Sequence, residues 1–256
     1  MIHLSYAYIL SNRTIAIEAL TLATTSYNHL HNYLDDPSYT FPVDNSTTSL
    51  LSLLNEIHND PRFSDFPTSL HGTVDSPDPF KTHERPILEY WNRWTITSDI
   101  THAFHHSQEL VTLLLCTTDP PSNPPTSTHD FFLVHLLTTS HAIRIILPLL
   151  PNRHHISLIR QWWLLTITTY LTQHRPKIHP DRLTNYNPTP HDWKWVIGQA
   201  VNGPHSLDSH YVKAIHTMKE ASETWKHTEH DAESWLKAAV MFAAGFKGWG
   251  GFGPSS

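Results

Sequence analysis

The sequence predicts an all-α fold: one multi-helix globular domain over residues 1–256, interrupted by two long Pro-rich loops. Three observations carry that reading. Apolar residues recur at three- and four-residue spacings through most of the chain. No segment shows sustained apolar/polar alternation with turn chemistry between, so a sheet is not expected. The helical segments on either side of each loop need partners to bury their apolar faces, which makes them one domain.

Residues 2–10 form a short apolar segment. Ser11 is placed to cap a second helix reaching about Tyr33, with Ile15, Ala19, Leu20 and Ala23 on one face, and Asp35-Asp36-Pro37 ends it. Residues 49–59 carry Leu50, Leu53, Leu54 and Ile57 at helical spacing, stopped by Asp60-Pro61. Residues 64–85, rich in Pro, Asp, Ser and Thr, read as the first loop. Pro86 suits the first turn of a helix over 86–97, and another covers 99–117. Asp119 to Pro125 is the second loop. Residues 130–147 are nearly all apolar and read as the central buried helix, ended by Pro148 and Pro151. A helix over 154–173 carries Trp162 and Trp163 and is closed by Arg175-Pro176. Helices at 190–201, 207–226 and 230–244 complete the set. The tail from Gly245 to Ser256 holds five of the eight glycines and is expected to wrap the surface.

At 256 residues the chain can bury a real core. A net charge of −6 and the lack of a basic stripe argue against nucleic acid as a partner. The 22 histidines make stability sensitive to acid, since protonation would turn the chain cationic. The lone cysteine, Cys116, follows Leu113-Leu114-Leu115 and reads as a buried core thiol. With no disulfide and no signal peptide, a reducing, cytoplasmic location is the expectation. No run of about 18 uninterrupted apolar residues predicts a membrane span. Glycine is nearly absent before Gly198, so no GxGxxG or P-loop cradle exists to hold a flavin or nicotinamide in the usual manner. GxSxG, HExxH and CxxC are absent too.

Histidine is the anomalous residue. His129, His174, His179, His205, His227 and His230 lie in polar, loop-like stretches and read as solvated. His135, Thr138, His141 and Arg144 recur every three residues and share one slanted ridge of an otherwise apolar helix. Two readings stand: a hydrogen-bonded core network, or a metal or substrate site in which Arg144 neutralises an anionic group. His210 and Lys213 share a helix face. The pair is coherent if Lys213 is desolvated and neutral, because a neutral amine can take up carbon dioxide and become a carbamate, an anionic oxygen ligand. The plain alternative is a snorkelling lysine. His3 stands in an apolar, aromatic start that suggests burial. Imidazoles with one anionic oxygen ligand suit iron.

These residues sit in a longer pattern. Ile2-His3-Leu4-Ser5-Tyr6-Ala7-Tyr8, Asn59-Asp60-Pro61-Arg62-Phe63, Asp130 to Thr138 with His141-Ala142-Ile143-Arg144, Ile159-Arg160-Gln161-Trp162-Trp163 with Tyr170 and Arg175-Pro176, and Asp208-Ser209-His210-Tyr211-Val212-Lys213-Ala214 follow in order. The series resembles the questin oxidase-like family. Ser5 replaces that family's glycine, and His216 stands where it often has arginine.

The resemblance implies an α-helical oxidoreductase of fungal secondary metabolism. It would be a Baeyer–Villiger-type or ring-cleaving oxygenase acting on aromatic, anthraquinone-like polyketides with molecular oxygen. It also implies a non-haem Fe(II) held by His3, His135, His210 and Lys213 as a carbamate, with NADPH as an external reductant. Thr138 would support the carbamate. Thr138, His141 and Arg144 become the implied catalytic residues, and His141, Arg144, Trp162 and Trp163 become candidates for supporting the ligands or lining the pocket. Family chains carry an upstream His-rich helix, and here the chain begins at the Ile2-His3-Leu4 element. The expectation is therefore an N-terminally shortened member whose uncovered apolar surface favours a homodimer. The second reading is a catalytically incomplete paralogue or fragment, a helical small-molecule-binding domain without metal.

Overall fold

The structure, a computed structural model, describes residues 1–26, 29–67, 79–96, 100–120, 128–227 and 231–251. Among these are thirteen α-helices and one two-stranded ladder, so the fold is mostly helical. Much of both Pro-rich loops, and His230, lie outside the described residues. The chain divides into two compact units: residues 1–106 with 139–172, and residues 107–138 with 173–256.

In the first unit α1 (Ile2–Ile9) packs on α2 (Arg13–Thr25). The cap of α2 is Asn12, whose Oδ1 accepts from the Ile15 amide at 3.1 Å. It is not Ser11, which takes a left-handed turn at φ 49°. The helix anticipated to Tyr33 ends at Thr25, and the short α3 (Asn32–Asp35) follows. Tyr8, Leu10, Ile17, Leu20 and Leu22 are exposed along α1, α2 and the turn joining them. In contrast, α4 (Leu50–Asn59) buries Leu50, Leu53, Leu54 and Ile57, and Ser49 caps it by accepting from the Ser52 amide. After α5 (Pro79–Thr82), which falls inside the loop expected over 64–85, comes α6 (Glu84–Arg93). It buries Ile87, Leu88, Tyr90 and Trp91 and packs on α4 and α9 (His155–Thr172).

The indole N–H of Trp91 donates to the Arg160 carbonyl at 2.9 Å, and that of Trp163 to the Tyr90 carbonyl at 3.4 Å. Trp162 and Trp163 are fully buried and lie edge-on to Trp94. They are core residues joining α6 to α9 rather than the pocket lining anticipated for them.

Two helices pass from one group of residues to the other: α7 (Ile100–Thr117) and α8 (Phe131–Ile146). With its continuation, Phe131–Leu149 is long and apolar enough to cross a membrane by length and composition, at a mean hydropathy of 1.5; 56% of it is buried inside the protein, as core helices are. In the second unit, α10 (Pro180–Thr184) and α11 (Trp193–Asn202) precede α12 (Ser209–Thr224) and α13 (Asp231–Gly245). The last two pack on each other more extensively than any other pair in this unit. Ala214, Met218 and Ala221 of α12 and Ala238, Ala239 and Phe242 of α13 are fully buried.

The expectation of no sheet is corrected in one place. Strand β1 (His129–Asp130) pairs in parallel with β2 (Trp249–Gly250), matching His129 to Trp249 and Asp130 to Gly250. Two residues are too few to show a period, so no pattern in the sequence announces them. The described part of the tail is therefore tied to the start of α8.

Candidate metal centre

The centre belongs to the second unit and is built from the first turns of α8 and α12. Each helix opens on an aspartate. Asp130 Oδ1 accepts from the amides of Phe132 (2.7 Å) and Leu133 (3.0 Å). Asp208 Oδ1 accepts from those of His210 (2.8 Å) and Tyr211 (3.1 Å). These caps satisfy amides that no helical carbonyl can reach. They start α8 shortly before His135 and α12 just before His210.

His135 Nδ1 lies 2.7 Å from the Phe131 carbonyl. A carbonyl can only accept, so Nδ1 carries the proton and Nε2 presents its lone pair. The His210 ring lies 4.9 Å from that of His135, and Phe131 touches both, at 4.7 and 4.6 Å. Lys213, one turn along α12, acts electrostatically on both imidazoles. Burial, and then the Lys213 charge, hold His135 below the ordinary histidine range. Burial, His135 and Lys213 depress His210 in that order, against a smaller opposing pull from Asp208. Both shifts favour the neutral ring, the state in which imidazole binds metals.

This donor set fits a divalent transition metal. Two imidazoles lie 4.9 Å apart, shifted toward the neutral form, and one has its second nitrogen engaged by a carbonyl, as metal-bound histidines usually do. A protonated Lys213 would repel a cation, whereas as a carbamate it would supply the anionic oxygen. Thr138, buried, turns its hydroxyl back to the carbonyls of Val134 (3.1 Å) and His135 (3.3 Å).

The remaining sequence candidates belong to the other unit. His3 on α1 has Nδ1 3.5 Å from Glu18 Oε1 of α2. His141 is 1% exposed, with its ring 6.3 Å from that of Tyr6. Arg144, one turn further along α8, is partly exposed. The structure thus brings His135, His210 and Lys213 together, with Thr138 one turn from His135.

Two histidines expected to be solvated are packed. His129 is 7% exposed and lies against Phe242 (4.8 Å) and Phe246 (5.8 Å), and burial pushes it down to about 4. Next to it, burial pushes Asp130 up to about 6. His205 is half-buried against Phe246 and Tyr211. Aromatic residues distant in sequence create these environments, so the polar local sequence misleads. Cys116 has its sulfur 3.7 Å from the Ala238 carbonyl, and burial pushes its thiol up to about 12, which makes it a poor nucleophile. Sequence reasoning passed over His105, His106 and Glu109, whose ligand atoms lie within 4.8 Å of one another along the single helix α7. Their His-His-x-x-Glu spacing was the available signal.

No curated protein matches the chain. The questin oxidase-like family matches residues 1–218 of the 256, a stretch that includes α1, the Asp60 turn, α8 and the first part of α12 and stops before α13. With most of its length matched, the chain belongs to the questin oxidase-like family, which points to an oxidoreductase.

Proposed function

We propose that the chain is a non-haem iron oxygenase of the cytoplasm acting on aromatic, anthraquinone-like polyketides in fungal secondary metabolism, with NADPH as an external reductant. The observation that carries the metal centre is the pair of neighbouring imidazoles, His135 and His210, whose rings lie 4.9 Å apart, with Lys213 acting electrostatically on both. Family membership carries the reaction class.

In this reading His135 and His210 hold the metal through ring nitrogens, and Lys213, carboxylated by carbon dioxide, adds an anionic oxygen. The Thr138 hydroxyl, released from its back-bond to Val134, donates to that carbamate. Iron supplies oxygen activation when bound. The chain's residues hold the centre, burial favours the unprotonated imidazoles, and Phe131 and Trp249 lie against them as surfaces suited to a flat substrate.

Metal content of the untagged protein, measured by inductively coupled plasma mass spectrometry, tests this. We expect near-stoichiometric iron in the wild type and its loss in both His135→Ala and Lys213→Ala. Iron that persists in both variants would place the metal elsewhere, the histidine-rich segment of α7 being the first alternative.

A further inference from the structure

The family match stops at residue 218, yet a residue beyond it stands at the centre. The Trp249 ring lies edge-on to His210 at 6.4 Å and to Phe131 at 6.1 Å. Its indole N–H donates to Asp208 Oδ2 at 2.7 Å. The other oxygen of that carboxylate, Oδ1, caps α12 through the His210 and Tyr211 amides and lies 3.8 Å from His210 Nδ1. One aspartate therefore joins three things: the helix start, the imidazole edge and the indole.

The segment that delivers Trp249 is held at several points. The Lys247 amide donates to Thr128 Oγ1 at 2.9 Å, and the Thr128 amide to the Gly248 carbonyl at 3.3 Å. Trp249 and Gly250 then enter the ladder with His129 and Asp130. Gly251, at φ 89°, passes so close to Asp130 that a Cβ there would sit 2.3 Å from Oδ2. Only glycine allows both that approach and that backbone angle. In the alternative amide orientation, Gln173 bridges the two by donating to the Gly251 carbonyl at 3.0 Å and Asp130 Oδ2 at 2.8 Å. Residues 247–251 form a strap fastened to the start of α8 and, through Trp249, to the start of α12.

We propose that Trp249 is a positioning residue of the metal centre: by holding Asp208 Oδ2 it keeps the carboxylate at the Nδ1 edge of His210, so that His210 offers Nε2. The inference rests on the metal-centre reading above. At 3.8 Å the carboxylate acts on His210 Nδ1 through its charge, whereas His135 Nδ1 has a hydrogen bond to the Phe131 carbonyl at 2.7 Å. A carboxylate beside one ring nitrogen favours the tautomer with its proton there and frees the other nitrogen as a ligand.

The test uses Trp249→Phe, which keeps an aromatic ring and removes the N–H, and Asp208→Asn, with Oδ1 still able to cap and the indole's acceptor replaced. Long-range proton–nitrogen NMR on histidine-labelled, metal-free protein reads the His210 tautomer, with the signal assigned by His210→Asn. Visible absorption during Co(II) titration reads the affinity. We expect wild-type His210 to be protonated at Nδ1 and each variant to shift the population toward Nε2–H. Co(II) affinity should fall about tenfold in each, and the double variant should fall no further than the singles. An unchanged tautomer and unchanged Co(II) affinity in folded Trp249→Phe would overturn the positioning role. If that variant does not fold, Asp208→Asn decides by the same two readouts. Wild-type protein showing no His135-dependent Co(II) band would sink the metal reading instead, while the tautomer measurement would still decide the role of Trp249.

Discussion

Two polar clusters in this protein are each organised by a capping aspartate, and they behave in opposite ways. In the first unit Asp60 caps the turn Pro61–Phe63, and its carboxylate meets the Arg62 guanidinium at 2.7 Å and the Tyr90 hydroxyl at 3.0 Å. Arg62 also pairs with Glu89. Burial raises the Asp60 carboxyl, but hydrogen bonds from Arg62 and Tyr90 outweigh it and hold the group below the ordinary range. Hydrogen bonding to Asp60 raises Arg62 in turn. Each charge stabilises the other. In the second unit Asp208 caps the helix carrying His210 and Lys213, and there burial and neighbouring basic groups push both imidazoles toward the neutral form. A cluster of matched charges holds chain segments together; one of basic groups deprived of their protons is prepared for a ligand.

Lys213 substitutions should break the second cluster with the largest effect. Lys213→Met is expected to lower Fe(II) or Co(II) affinity at least about a hundredfold, whereas Lys213→Glu, which supplies an oxygen anion directly, should stay within about tenfold of wild type. Bicarbonate should strengthen metal binding by the wild type and leave Lys213→Glu unaffected. Equal losses in both variants, read by titration, would remove the carbamate from the account.

The next effect is on acid stability. His129 is depressed in the folded state, to about 4 from 6.5, so its contribution is complete above pH 6.5 and is lost as pH falls toward 4. Asp130, raised to about 6 from 3.8, works against it, stabilising more as pH falls through the same interval. Replacing His129 by Phe should therefore flatten the acid limb of the stability profile, by on the order of 3 kcal/mol at pH 4. Urea unfolding at pH 4, 5.5 and 7 measures this, and an unchanged slope would show that His129 is protonated without cost.

Breaking the matched cluster should cost less and affect stability alone. Asp60→Ala removes a cap and leaves Arg62 and Tyr90 without their shared acceptor. Because the Arg62 side chain is 46% exposed and solvent screens the pair, about 2 kcal/mol is expected by urea unfolding. Co(II) affinity should not change. The smallest effect is at α2, where Asn12→Ala should lower stability by about 1 kcal/mol, the ordinary value of an N-cap, by the same measurement.

Helix legibility followed burial. The segment over 49–59 was readable because Leu50, Leu53, Leu54 and Ile57 all face the core, and Ser49 and Asp60 mark its ends. In α2, only Ala19 is buried among many apolar residues, so the pattern overran its true end at Thr25. The helices α3, α5 and α10 span four or five residues, too short for any period to register. His135, Thr138, His210 and Lys213 were visible as polar residues at helical spacing. His129 and Asp130 were not, because nothing near them in sequence indicates that Phe242 and Phe246 cover the histidine.

By itself the sequence determined the longer helical stretches that bury an apolar face and which polar side chains share a helix face, since both depend on neighbours within a few positions. Only the tertiary structure decided that His135 faces His210, that the two tryptophans of α9 belong to the core, and that Trp249 reaches Asp208 from 41 residues away. The physical reason is that burial and electrostatic pairing depend on distance in space. For imidazoles, that distance selects between a solvated cation and a neutral ligand.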